Sequence, residues 1–134
     1  MEIEFFLPMR EPPSTTHQEH QVTVVNGKPI FYEPQRLRII RQKFLVMVSP
    51  HAPEEKIAGP VQLITKWIWQ ESKKHPADSW KTTKPDTDNM IKLLKDCMTK
   101  AGFWKDDSQV ASEITEKFYG IYPGIYIKVR ELNE

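Results

Sequence analysis

The chain has 134 residues, 39% of them hydrophobic and 28% charged, a length that suits one domain with its own core. A net charge of +1, from 19 basic and 18 acidic residues, excludes a uniformly basic nucleic-acid coat. The lone Cys97 excludes a disulfide framework or a thiolate zinc site, and no apolar run approaches the ~20 residues of a membrane span.

Glu2-Ile3-Glu4-Phe5-Phe6-Leu7 alternates and predicts a first strand, stopped by Pro8. The acidic Met1-Glu2-Ile3-Glu4 start lacks the basic region of a secretory leader, so a cytoplasmic setting is expected. Arg10 to Gln21 holds Pro12, Pro13 and Ser14 and reads as a loop, where His17 and His20 form an H-x-x-H without a thiolate beside it. Gln21–Val25 and Pro29–Tyr32 flank Asn26-Gly27, a hairpin signal. Pro34 starts an amphipathic helix to about Val48, with Leu37, Ile40, Phe44 and Met47 on its apolar side, and Pro50 and Pro53 end it. Val61–Trp69 is β-branched and aromatic and predicts a strand. Ser72–Thr83 is polar, broken by Pro76, and reads as a surface loop.

A second helix is predicted from about Asp86 to Ala101, with Gly102 as its C-terminal cap. Strands near Gln109–Phe118 and Ile125–Leu132 follow, separated by the Gly120–Gly124 turn. This order predicts an α+β domain over residues 1–134, with two main helices packed on a mixed β-sheet.

The chemistry concentrates between Lys84 and Val110. At ~100° per residue, Asp88, Lys92 and Asp96 form one stripe of the second helix. Met90, Ile91, Leu93, Leu94, Cys97, Met98 and Ala101 take the opposite arc and must face the core. Asp86 lies at the helix start, and Asp106 and Asp107 lie just beyond its end. If the strand they feed pairs beside the helix start, an aspartate from that turn completes a carboxylate cluster.

Converging carboxylates repel one another and call for a hard divalent cation such as Mg²⁺ or Mn²⁺. With Lys92 supplying a point charge, these are the needs of metal-assisted phosphodiester hydrolysis. Plainer readings exist for each residue. Asp86 or Asp88 can cap the helix, Asp88, Lys92 and Asp96 can form exposed ion pairs, and Asp106-Asp107-Ser108 can be a turn. A calcium loop is excluded, because Met90 and Ile91 stand where an oxygen ligand and a glycine are needed.

Basic residues flank the motif. Arg36, Arg38, Arg41 and Lys43 cluster on the first helix, and Lys66, Lys73, Lys74, Lys81 and Lys84 precede the acidic stretch. They suit the backbone of a polyanion, or a solvated face. Trp67 and Trp69 share a strand face and read as core or a dimer interface, while Trp80 and Trp104 lie in loops beside the motif. Trp80 is a candidate for stacking on a base, or for simple packing.

The D-x-D-N-x-x-K pattern of Asp86, Asp88, Asn89 and Lys92, the Asp96 one turn on, the AGFW of Ala101–Trp104 and the DDSQV of Asp106–Val110 together resemble RusA-type Holliday-junction resolvases. Lys117 stands where that family tends to keep a basic residue. The resemblance is specific over residues 84–117 and weakens to a Pro-Pro-Ser loop in the N-terminal half. It implies a two-layer α/β sandwich and a homodimer that cuts four-way DNA junctions by paired nicks with Mg²⁺, or Mn²⁺ in its place.

Carried onto this chain, the resemblance makes Asp86, Asp88 and Asp107 the metal ligands and Lys92 the catalytic lysine, with Asp106 a further ligand candidate. Asp96, Asn89 and Lys117 are then supporting residues. Arginines often precede the family's first aspartate, whereas this chain has Lys81-Thr82-Thr83-Lys84. A non-catalytic dimer that binds branched DNA is the alternative reading.

Overall fold

The computed structural model describes residues 1–14, 21–32 and 34–133, so His17 and His20 lie outside the described residues. Its centre is β4 (Val61–Gln70), whose side chains alternate between buried and half-buried up to Trp69, with Gln70 exposed. Val61, Leu63, Thr65, Trp67 and Trp69 point into the core. Antiparallel to β4 runs β6 (Gly124–Glu131), which in turn pairs antiparallel with β1 (Glu2–Pro8). On its other side β4 pairs parallel with β5 (Val110–Gly120). The sheet order is β1-β6-β4-β5, which makes it mixed and leaves β5 at an edge.

Parallel neighbours cannot be joined by a tight turn, so the chain between them must cross back along the sheet. Helix α2 (Thr87–Ala101) makes that crossing, and α1 (Gln35–Val48) packs beside it. The apolar arc predicted for α2 is the buried one, with Met90, Ile91, Leu93, Leu94, Cys97 and Met98 all in the core. Leu37, Phe44 and Val48 of α1 join the same cluster, so both helices cover one face of the sheet. Gly102 ends α2 in the left-handed region at φ 95°, its N–H donating to the Met98 and Thr99 carbonyls. A residue with a Cβ is disfavoured there, which is why glycine stops this helix.

Residues Gln21–Val25 (β2) and Lys28–Tyr32 (β3) form a separate two-stranded sheet. Positive φ at both Asn26 and Gly27 turns it, as the sequence predicts. Among the described residues, two α-helices, a mixed sheet and a hairpin make this an α+β fold. No helix among the described residues is long and apolar enough to cross a membrane.

Trp67 and Trp69 belong to the core rather than to an exposed interface, at 1% and 8% accessibility. The Trp67 Nε1–H donates to Thr65 Oγ1 at 2.9 Å, satisfying the one buried polar side chain on β4's inner face. Phe44 meets the Trp67 ring edge-on at 6.1 Å, tying α1 to the sheet. Trp67→Ala leaves both a large void and an orphaned hydroxyl. It is expected to lower the unfolding free energy by ~3–5 kcal/mol or more in denaturant titration.

Candidate active site at the two ends of helix α2

The chain enters α2 through the Lys81–Pro85 segment, whose last residue is buried. Asp86 occupies the N-cap position, yet its side chain makes no capping hydrogen bond. The plain capping reading therefore does not hold, and the exposed carboxylate stays available to a ligand. Asp88 follows in the first turn and Lys92 one turn later, both solvent-exposed. Asn89 between them is half-buried.

Nor is the stripe a string of i,i+4 ion pairs. Asp96 Oδ2 instead faces Arg41 Nη1 at 3.4 Å, linking α2 to α1 in a partly buried contact. That makes Asp96 a support between helices. It also engages Arg41, one of the cations predicted to meet DNA.

Asp106 and Asp107 sit at the opposite end of the helix. Asp106 caps a 3₁₀ turn over Asp107–Gln109, accepting from the Ser108 N–H at 2.9 Å. The backbone N–H groups of Lys105 and Asp106 donate to Gln109 Oε1 at 2.9 and 3.0 Å. Gln109 Nε2 reaches the Ile57 and Gly59 carbonyls at 2.8 and 3.1 Å, so the whole turn is locked to the chain ahead of β4. The Ser108 N–H holds the Asp106 carboxyl below the usual aspartate range. Asp106 is thus committed to its turn, while neighbouring Asp107 is half-exposed on a cleft of about 440 Å³. Lys100 and Lys105 line that cleft with Arg41 and Asp96. Sequence reading passed over these two lysines, because one lies in a helix's last turn and the other in a loop.

The turn does not return to the helix start within one chain. Because β5 is parallel to β4, it runs antiparallel to α2 and begins beside the helix's C-terminus. A 15-residue helix spans ~22 Å, which is the scale separating Asp107 from Asp86 and Asp88. Accordingly no three acidic, histidine or cysteine side chains among the described residues gather as a metal site. The donors suit a hard cation in type, since they are carboxylate oxygens unclaimed by capping, but only two stand at the helix start.

What β5 does bring to the helix start is Lys117. Its ammonium donates to the Thr83 and Pro85 carbonyls, each at 2.7 Å. Burial chiefly, and then nearby Lys81, push its pKa down, while Asp86 pulls it up. Lys81 turns inward: its Nζ donates to Thr83 Oγ1 at 2.8 Å and stands 5.0 Å from the Trp69 ring centroid and 5.6 Å from that of Tyr119. Of the other predicted backbone contacts, Arg36, Arg38, Lys73, Lys74 and Lys84 are exposed.

Trp104 is fully buried and donates to Thr99 Oγ1 at 2.7 Å, so it is an anchor and not a site residue. Trp80 is 65% exposed; it bridges to Phe118 on β5 and packs edge-on against that ring.

The family model for endodeoxyribonuclease RusA matches residues 11–130. The chain is 33% identical over 111 residues to the crossover junction endodeoxyribonuclease rusA of Lactococcus phage r1t, covering 82% of this chain and 83% of that protein. It is also 32% identical over 123 residues to the uncharacterized protein YqaN of Bacillus subtilis strain 168, covering 83% and 85%. With the D-x-D-N-x-x-K helix and the DDSQV turn in place, the chain belongs to the RusA family of endodeoxyribonucleases, hydrolases of the DNA phosphodiester backbone.

Proposed function

We propose that this protein is a homodimeric, Mg²⁺-dependent endonuclease that resolves four-way (Holliday) DNA junctions by paired nicks, acting in the cytoplasm in recombination and repair. One observation carries the reading. Asp86 and Asp88 present exposed carboxylates, that of Asp86 unclaimed by capping, at one end of α2, and Asp107 lines a cleft at the far end.

A two-fold axis resolves the separation. Edge strand β5 is bridged on its outer side by Trp80 at Phe118, and its Val110–Glu116 stretch faces no other strand among the described residues. A second copy pairing antiparallel along that stretch would carry Asp107 of the partner subunit toward Asp86 and Asp88 of the first. Symmetry then makes two such sites, which suits two symmetric cuts.

In this reading Asp86, Asp88 and the partner subunit's Asp107 would hold Mg²⁺, or Mn²⁺, with Asp106 shaping the turn beside them. When bound, the ion would supply neutralising positive charge and Lewis acidity. Lys92 stabilises negative charge growing on the phosphoryl oxygens. The water oxygen bonds to phosphorus, the bond from phosphorus to a sugar oxygen breaks, and a proton ends on the leaving alkoxide. Arg36, Arg38, Lys73, Lys74 and Lys84 contact DNA phosphates, so binding is salt-dependent and led by shape. Arg41 contributes from the wall of the Asp107 cleft.

A labelled four-way junction tests this. In EDTA the protein is expected to shift the junction without cutting it, and Mg²⁺ or Mn²⁺ then yields paired nicks. Stable complexes with no nicks under any divalent cation would establish the non-catalytic binding dimer instead.

A further inference from the structure

We propose that Lys117 is a positioning residue, which sets the carboxylates at the start of α2 by gripping the two backbone carbonyls that lead into the helix. The inference rests on the reading of Asp86 and Asp88 as functional groups.

An N-cap side chain commonly fixes a helix's first turn by accepting from the N–H of its second or third residue. Here the N-cap residue is Asp86, and its carboxylate makes no such bond. With no side-chain cap from Asp86, the chain entering the helix is fixed by a contact from elsewhere. Lys117 supplies that contact. It sits on β5 opposite Trp67 of β4, on the face that carries α2. From there its Nζ reaches the Thr83 and Pro85 carbonyls at 2.7 Å each.

Thr83 and Pro85 belong to neither strand nor helix, so their carbonyls lack a ladder partner. Charge-assisted hydrogen bonds are roughly twice as strong as neutral ones, and two from one ammonium define a direction as well as a distance. Pro85 immediately precedes Asp86. The Lys81 N–H donates to the Lys117 carbonyl at 3.0 Å, and the Lys81 ammonium holds the Thr83 hydroxyl, so the same short segment is tied to β5 at both ends. Two of the three Lys117 donors are engaged with carbonyls, which leaves little for a DNA phosphate. Lys92, exposed on the helix, is free for that chemistry.

Lys117→Met removes the grip while keeping the aliphatic length, and Lys117→Arg keeps a donor fork of similar reach. In Lys117→Met, Mn²⁺ affinity measured by calorimetry and kcat on a four-way junction are each expected to fall ~10–100-fold, the range for losing a group that orients metal ligands. Junction affinity in EDTA and its salt dependence stay unchanged, and Lys117→Arg recovers most of the loss.

A weakened junction affinity with a salt slope reduced by ~1 and an intact kcat would mark a phosphate contact and overturn the proposal. So would a loss that tracks only the folded fraction in thermal melting. Hydrogen exchange separates this inference from the functional reading. The Met90 amide, bonded to the Asp86 carbonyl at 3.1 Å, is expected to exchange faster in Lys117→Met and to be restored in Lys117→Arg. That result stands even if the wild-type protein cuts no junction, and an unchanged Met90 rate refutes the positioning role.

Discussion

Asp88→Asn is expected to abolish junction cleavage, lowering the rate by roughly 10³-fold or more, while the protein still folds and still binds the junction. The substitution keeps the size of the side chain and removes one negative oxygen from the first turn of α2. A metal supplies several kcal/mol of charge stabilisation in the transition state, and each ~1.4 kcal/mol is tenfold in rate. Binding is expected to survive because the proposed phosphate contacts, Arg36, Arg38, Lys73, Lys74 and Lys84, are untouched by the change. With one anion fewer beside the DNA backbone, junction affinity in EDTA is expected to hold or rise. Gel mobility and single-turnover cleavage on the same preparation make the comparison. Full activity in Asp88→Asn would remove the carboxylate from the mechanism.

Subunit mixing carries the second large effect. Asp88→Asn and Asp107→Asn should each be inactive alone. If every site takes Asp86 and Asp88 from one protomer and Asp107 from its partner, a heterodimer of the two variants contains one site with no substitution and one with both. Random exchange makes about half of the dimers heterodimers, so about a quarter of the wild-type site concentration should return. These dimers should nick one strand of a junction without the paired second cut. A site completed within one protomer predicts no recovery at any mixing ratio, since no chain then carries an intact set. The experiment therefore decides between the two arrangements by the presence of activity, and the pattern of single nicks checks its origin.

Much of the fold was legible because the signals were local. The helical phase of residues 88–101 named the side chains that α2 buries, and Gly102 marked its end through a conformation that other residues avoid. Asn26-Gly27 announced a hairpin for the same reason. Alternation in Val61–Trp69 picked out the central strand, although that alternation could not separate core from interface for Trp67 and Trp69. Contacts that join distant segments were not legible. Nothing near Gln109 reveals that its amide holds the Ile57 and Gly59 carbonyls, 52 and 50 residues away. Likewise Asp78–Lys81, read as plain loop, lays backbone hydrogen bonds along β5 at Lys117 and Tyr119.

The candidate site divides along the same line. Sequence alone determined its chemistry: carboxylates and a lysine on the polar side of an amphipathic helix, with an apolar arc that forces that side outward. This is so because side-chain direction in a helix follows from spacing alone. Only the tertiary structure decided how far apart the pieces lie. The direction in which β5 pairs with β4 is a long-range choice, and the parallel choice keeps Asp107 at the far end of α2 and delivers Lys117 to its start. Lys117 thus meets the chain that leads into Asp86 and Asp88, while Asp107 stays a helix length away, which is why the proposed site draws its third carboxylate from a second copy.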